Sequence, residues 1–120
     1  MKSVIFYRTE SGKCPVEDFL DSLPSKAAQK AAWVLMLIEE RKLIDSKYFK
    51  KLVGTDDIWE CRINHGSNAY RILCFITDDE NVVLTNGFAK KKMKVPRSEI
   101  AKAEARKKDF LIRGEQDERP

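Results

Sequence analysis

Three observations predict an α+β domain: a strand-like run opens the chain, two stretches of helical periodicity follow, and three period-2 runs precede a last helix. That order implies a mainly antiparallel sheet of about four strands, with a helical hairpin on one face and a C-terminal helix. The 120 residues make a single domain over 1–120, large enough for a core but too small for separate catalytic and binding domains. One site is expected.

The first strand is Ser3 to Arg8, closed by the turn-prone Ser11-Gly12-Lys13. Pro15 then permits a helix start, and Val16, Phe19, Leu20 and Leu23 recur at helical spacing. This short helix, to about Ser22, carries Glu17 and Asp18 in its first turn, where the helix dipole favours them. A second helix is expected from Pro24 to about Ile44. Its inner stripe is read as Ala28, Ala31, Ala32, Leu35 and Ile38, broadened by Trp33 and Leu37, with Lys26, Gln29, Lys30, Glu39 and Lys42 outside. The basic patch Lys47-Tyr48-Phe49-Lys50-Lys51 reads as a solvated connection before the Gly54-Thr55-Asp56-Asp57 turn.

A hairpin comes next: Ile58 to Ile63, a loop His65-Gly66-Ser67-Asn68, then Ala69 to Ile76. Alternation puts Trp59, Cys61, Ile63, Tyr70, Ile72, Cys74 and Ile76 on a core face, with both cysteines inert there. Ile58, Glu60, Arg62, Ala69, Arg71, Leu73 and Phe75 share the other. With Asn64 opposite Ala69, Arg62 faces Arg71 directly. Like charges across a ladder are unfavourable by several tenths of a kcal/mol, so this pairing calls for a compensating acid such as Glu60 or an anionic ligand. A turn at Asp78-Asp79-Glu80-Asn81 leads to Val82–Phe88, and a turn centred on Asp79-Glu80 brings Asn86 and Phe88 onto the arginine face. Pro96 suits the first turn of a last helix, roughly Arg97 to Arg113, with Ile100, Ala101, Ala105 and Leu111 as its apolar positions. Glu115 to Pro120 read as a frayed, partly acidic tail.

Between the last strand and this helix stand Lys90, Lys91, Lys92 and Lys94, in a chain whose net charge is +4. Such density is tolerated where solvent screens it or a polyanion binds. The lysines leave the sheet just beyond Phe88, within reach of Arg62 and Arg71, so a basic concave phosphate site is one reading. Salt bridges to Glu60, Asp57 or Glu99 are the other.

Composition narrows the classes. Cys14, Cys61 and Cys74 form no CxxC pair, and with His65 as the single histidine there is no zinc-ligand set, so no metal or other cofactor is expected. No run approaches the roughly 18 apolar residues of a membrane span, and the start lacks a signal-peptide pattern. No membrane partner is expected, and the location expected is cytoplasmic, with reduced thiols.

Ile58-Trp59-Glu60-Cys61-Arg62, Tyr70-Arg71-Ile72-Leu73, Asn86-Gly87-Phe88-Ala89-Lys90-Lys91 with Lys94 and Pro96, and Glu99-Ile100 with Ala103 together resemble the RelE/ParE superfamily of type II toxins, in its HigB-like, phage-related branch. Phe6-Tyr7 and Pro15-Val16-Glu17-Asp18-Phe19-Leu20 are similar to that branch too, so the likeness covers nearly the whole chain. The resemblance implies a RelE-like domain that cleaves messenger RNA on the ribosome and is neutralised by a protein antitoxin, commonly of helix-turn-helix type. It implies metal-independent attack of the ribose 2′-OH on phosphorus, leaving a 2′,3′-cyclic phosphate and a 5′-OH, with cations stabilising the phosphorane. Carried onto this chain, catalysis falls to Arg62, Arg71, Lys91 and Lys94, and RNA binding to Lys90, Lys92, Asn86, Lys50 and Lys51. A lysine among cations has a lowered pKa and can act as base. Many members have a histidine where this chain has Asn86, which cannot exchange a proton near neutral pH, and often a threonine where it has Val95. His65 is then the conventional proton shuttle in the chain. Two alternatives stay open: a ParE-like, non-enzymatic gyrase inhibitor, and a catalytically weak RNA-binding module.

Overall fold

In the computed structural model, which describes residues 3–117 and side chains as far as position 114, the elements are β1 (Val4–Phe6), α1 (Pro15–Asp21), α2 (Ser25–Glu40), β2 (Phe49–Lys51), β3 (Trp59–His65), β4 (Asn68–Ile76), β5 (Val82–Ala89) and α3 (Arg97–Asp117). They form an α+β fold around one five-stranded sheet in the order β1-β5-β4-β3-β2, antiparallel except for the parallel β1–β5 pair. The fifth strand is β2, drawn from the patch read as a solvated connection. Phe49 pairs with Cys61, Lys50 with Glu60 and Lys51 with Trp59. Three residues, two of them exposed lysines, make a short charged sheet edge, the usual protection against edge-to-edge association.

The helical hairpin α1–α2 covers one face of the sheet. Val16, Ala27, Ala31, Val34, Leu35 and Ile38 meet Cys61, Ile63, Ile72, Cys74 and Leu84 there. The phase of α2 differs from the expected stripe by about one residue: Ala27 and Val34 are buried, whereas Ala32 and Trp33 lie outside and Ala28 is half-buried. Branched Val34 and Ile38 are wholly enclosed, each contributing about 1.5–3 kcal/mol, whereas burying an alanine in their place returns much less. The helix also stops at Glu40, and Ile44 packs onto the core from the loop beyond.

Helix α3 covers the opposite face over Ile58, Leu73, Phe75 and Val83. Its contacts run through Ala103, Ile100 and Phe110; Ala101, Ala105 and Leu111 are exposed, contrary to the expected pattern. Near its end the Tyr7 hydroxyl donates to Asp109 Oδ2 at 2.6 Å, and Arg113 pairs with Asp109 at 2.8 Å. Burial and this acid push the Tyr7 pKa up. The helix continues to Asp117, into the segment read as a tail, whose residues 118–120 lie outside those described.

Two details of β5 position the site. Between Leu73 and Cys74 the β4–β5 register shifts by one, leaving Thr85 as an extra residue. This bulge reverses the parity of everything after it. Asn86 and Phe88 therefore stand opposite Leu73 and Arg71, on the α3 side. Gly87 then faces α1, where the Phe19 ring lies so close that a Cβ would sit 2.7 Å from its Cγ.

Candidate functional site

The two-residue Gly66-Ser67 turn closes β3 on β4 with His65 opposite Asn68, which places Arg62 directly opposite Arg71. Between their side chains stands Glu60. Its Oε1 lies 3.5 Å from Arg62 Nε and its Oε2 3.6 Å from Arg71 Nε. The acid thus relieves the cross-strand repulsion from within the same face.

The two arginines are not equivalent. Arg71's side chain is 4% exposed, and its Nη1 donates to Asn64 Oδ1 at 3.1 Å and to the Tyr70 carbonyl at 2.8 Å. Desolvation holds its pKa below the ordinary arginine value, Glu60 opposing the shift and Arg62 adding to it. Arg62 is 28% exposed, and beyond Glu60 it makes a single long bond, Nη1 to the Ser46 carbonyl at 3.4 Å. Of the two guanidinium groups Arg62 is the one open to solvent, and Arg71 is enclosed behind Glu60.

Over Arg62 and Glu60 opens a cleft of about 580 Å³, which the buried Arg71, read as catalytic, does not line. Lys50, Arg62, Lys90, Lys94 and Arg97 line it against one carboxylate, Glu60, and Leu52, Val95 and Ile100 supply apolar wall. A larger hollow of about 660 Å³ along α3 mixes Asp56 and Glu104 with Lys107 and Lys108, so of these two it is the smaller cleft that carries one dominant charge. Lys90 has no carboxylate partner among the described residues. Burial lowers its pKa from the usual lysine value, helped by Arg71, Arg62 and Lys50 and opposed by Glu60. Its backbone N–H donates to the Ala69 carbonyl, pinning the segment as it leaves the sheet.

Not every residue read as functional gathers here. Lys91 and Lys92 are exposed on the loop but do not line the cleft, and Lys51 pairs with Asp57 at 2.7 Å, which lowers the Asp57 pKa. His65 is exposed at the hairpin end, about 10 Å along the strand from Arg62. Asn86 is buried: its Nδ2 donates to the Glu99 carbonyl at 3.2 Å and to Glu99 Oε1 at 3.0 Å, while its Oδ1 accepts from Thr85 at 2.7 Å. It ties β5 to the first turn of α3. Arg97 is the site residue that sequence reasoning missed. Its place in the first helical turn, directly after Pro96, is the signal that could have found it, because such a residue faces back over the preceding loop.

Among the described residues no His, Cys, Asp or Glu side chains group as a metal-ligand set, and no helix is long and apolar enough to cross a membrane. In comparison with known families, residues 18–108 match the family described as phage derived protein Gp49-like (DUF891). No curated protein matches the chain.

Proposed function

Because this chain belongs to the phage-derived Gp49-like family, we propose that it is the toxin of a type II toxin–antitoxin pair. In this reading it is a HigB-like member of the RelE/ParE superfamily that cleaves messenger RNA on the ribosome in the cytoplasm. The observation that carries it is the cleft in which five cations, Arg62 and Lys90 foremost, face one acid.

Each group has a role. Arg62 and Arg97 hold the non-bridging oxygens of the scissile phosphate, where a guanidinium fork fits. Lys90, as the free amine, takes the proton of the 2′-OH while the 2′-oxygen forms its bond to phosphorus and the bond to the 5′-oxygen breaks. The Lys94 ammonium returns a proton to that leaving oxygen. Arg71 and Glu60 fix the Arg62 side chain, and the added negative charge of the phosphorane is met by cations already in place. Lys91, Lys92 and Lys50 contribute phosphate contacts along the strand. A cognate antitoxin neutralises the protein by laying an acidic segment across this cleft.

Inducing the protein in growing cells and mapping RNA 5′ ends tests the assignment. Growth arrest with new 5′-hydroxyl ends is expected, relieved by Arg62→Ala or Lys90→Ala in folded protein. Full toxicity of both variants overturns it. A second reading, an RNA-binding module without cleavage, draws on the engagement of Asn86 by Glu99 and on a cleft without histidine. It expects salt-sensitive RNA binding and no new ends, whereas DNA damage without new ends identifies a gyrase inhibitor.

A further inference from the structure

Across the β2 edge from the cleft lies an aromatic patch that the proposed chemistry does not use, although Tyr48 packs in part against the α1–α2 core. Trp33 on α2 is 38% exposed although it is among the largest apolar side chains in the protein. It meets the half-buried Tyr48 edge to face, with ring centres 5.1 Å apart and planes at 84°. Lys30 Nζ lies over the Trp33 ring, 4.9 Å from its centre, and 5.7 Å from the centre of the Tyr48 ring, and Lys47 Nζ lies 5.1 Å over the latter, cation–π contacts that an arriving base would displace from one ring face. Neither lysine has a carboxylate partner among the described residues. Two rings flanked by two unneutralised ammonium groups have the composition of a stacking site for a nucleobase with its phosphates held alongside.

Backbone at the sheet edge links the patch, on the α2 side, to the cleft on the α3 side. The Arg62 backbone N–H donates to the Tyr48 carbonyl at 2.8 Å, its Nη1 reaches the Ser46 carbonyl, and Lys50 lines the cleft two residues beyond Tyr48. Two residues of strand cover about 7 Å, the order of one nucleotide step in an extended strand. We propose that Trp33 and Tyr48, flanked by Lys30 and Lys47, form a second subsite that stacks an unpaired base of the RNA strand whose phosphate occupies the cleft. The subsite rests on the RNA reading of the cleft. It selects single-stranded RNA, because a duplex presents no free base face there, and it is tolerant of sequence because every base has a stacking face.

The test uses the full chain with Trp59→Phe, so that Trp33 is the remaining tryptophan. A short single-stranded RNA, 2′-O-methylated to block cleavage, is titrated in while fluorescence is followed. Saturable quenching is expected, absent with the same sequence as a duplex. Trp33→Leu, measured separately by anisotropy of labelled RNA, weakens binding roughly 5- to 100-fold at an unchanged salt dependence, because one stack is lost and no charge. Trp33→Phe restores most of the affinity. Tight binding with Trp33 fluorescence unchanged, or a Trp33→Leu variant that binds as well as its parent, overturns the subsite and leaves the cleft standing. Failure of the parent to bind RNA at all overturns both.

Discussion

Replacing Glu60 by glutamine removes the one negative charge between two arginines while leaving its size. In the parent, Glu60 Oε2 lies 3.6 Å from Arg71 Nε inside the protein, and Oε1 lies 3.5 Å from the partly exposed Arg62 Nε. At an effective dielectric constant of about 20, a pair at this separation is worth on the order of 4–5 kcal/mol. Both separations exceed hydrogen-bond range, so the loss is one of charge and not of a bond. Solvent screens the Arg62 side, whereas Arg71 is left as a buried cation facing a like charge, the situation that usually costs about 3–5 kcal/mol. Urea unfolding followed by circular dichroism should therefore show an unchanged slope and a midpoint lower by roughly 1–3 M. Adding Arg71→Met to Glu60→Gln should recover about 2 kcal/mol, since the stranded cation is gone. Inorganic phosphate should stabilise Glu60→Gln more than the parent, because an anion then takes the vacated place. A Glu60→Gln protein within about 1 kcal/mol of the parent, or a double variant no better than the single, refutes the account of Glu60 as the counter-ion that makes the arginine pair possible.

Three further outcomes follow from the same geometry. Cleavage should rise with pH through an inflection below the ordinary lysine value of 10.5, because the free amine is the base and the Lys90 pKa is depressed, before falling as the Lys94 ammonium is lost; Lys90→Arg should keep RNA affinity but remove that rising limb, as rates measured across pH would show. Gly87→Ala should cost about 1–3 kcal/mol in denaturant unfolding, because its methyl group enters the space of the Phe19 ring, and a neutral result would mean that α1 shifts freely. The upstream fragment of cleaved message should end in a 2′,3′-cyclic phosphate and the downstream one begin with a 5′-hydroxyl, as end-labelling would show, with a 3′-hydroxyl and a 5′-phosphate counting against 2′-OH attack.

The arginine register was legible although the loop was read as four residues, His65 to Asn68: His65 pairs with Asn68 and the turn shortens to Gly66-Ser67, which leaves Asn64 opposite Ala69 and Arg62 opposite Arg71. The placement of Asn86 and Phe88 on that face also agreed, for a different reason. The turn itself pairs Ile76 with Val82, which would send Phe88 to the α1 side, and the extra residue Thr85 restores the expected parity. No local pattern marks a threonine as a bulge. The phase of α2 was illegible because Ala27, Ala28, Ala31 and Ala32 offer two equivalent stripes, and larger side chains elsewhere decide between them. Arg71 and Arg62 look alike in the chain, and their different exposure arises from tertiary packing. Whether a lysine after Phe88 enters the cleft depends on how the 90–96 loop turns, so Lys90 and Lys94 could not be told from Lys91 and Lys92.

The bonds from Asn86 to Glu99 have a consequence for the timing of recognition. They fasten the lysine segment at its far end, and the Lys90 N–H on Ala69 fastens it where it leaves the sheet. A run of cations left to itself would spread apart in solution, and any anion would have to gather it. Here the folding of the domain has already met that entropic cost, so on the proposed reading an arriving strand would find the charges assembled and would bind with less ordering still to be done. Asn86, read as an RNA contact, is thus a clasp that holds the loop to α3.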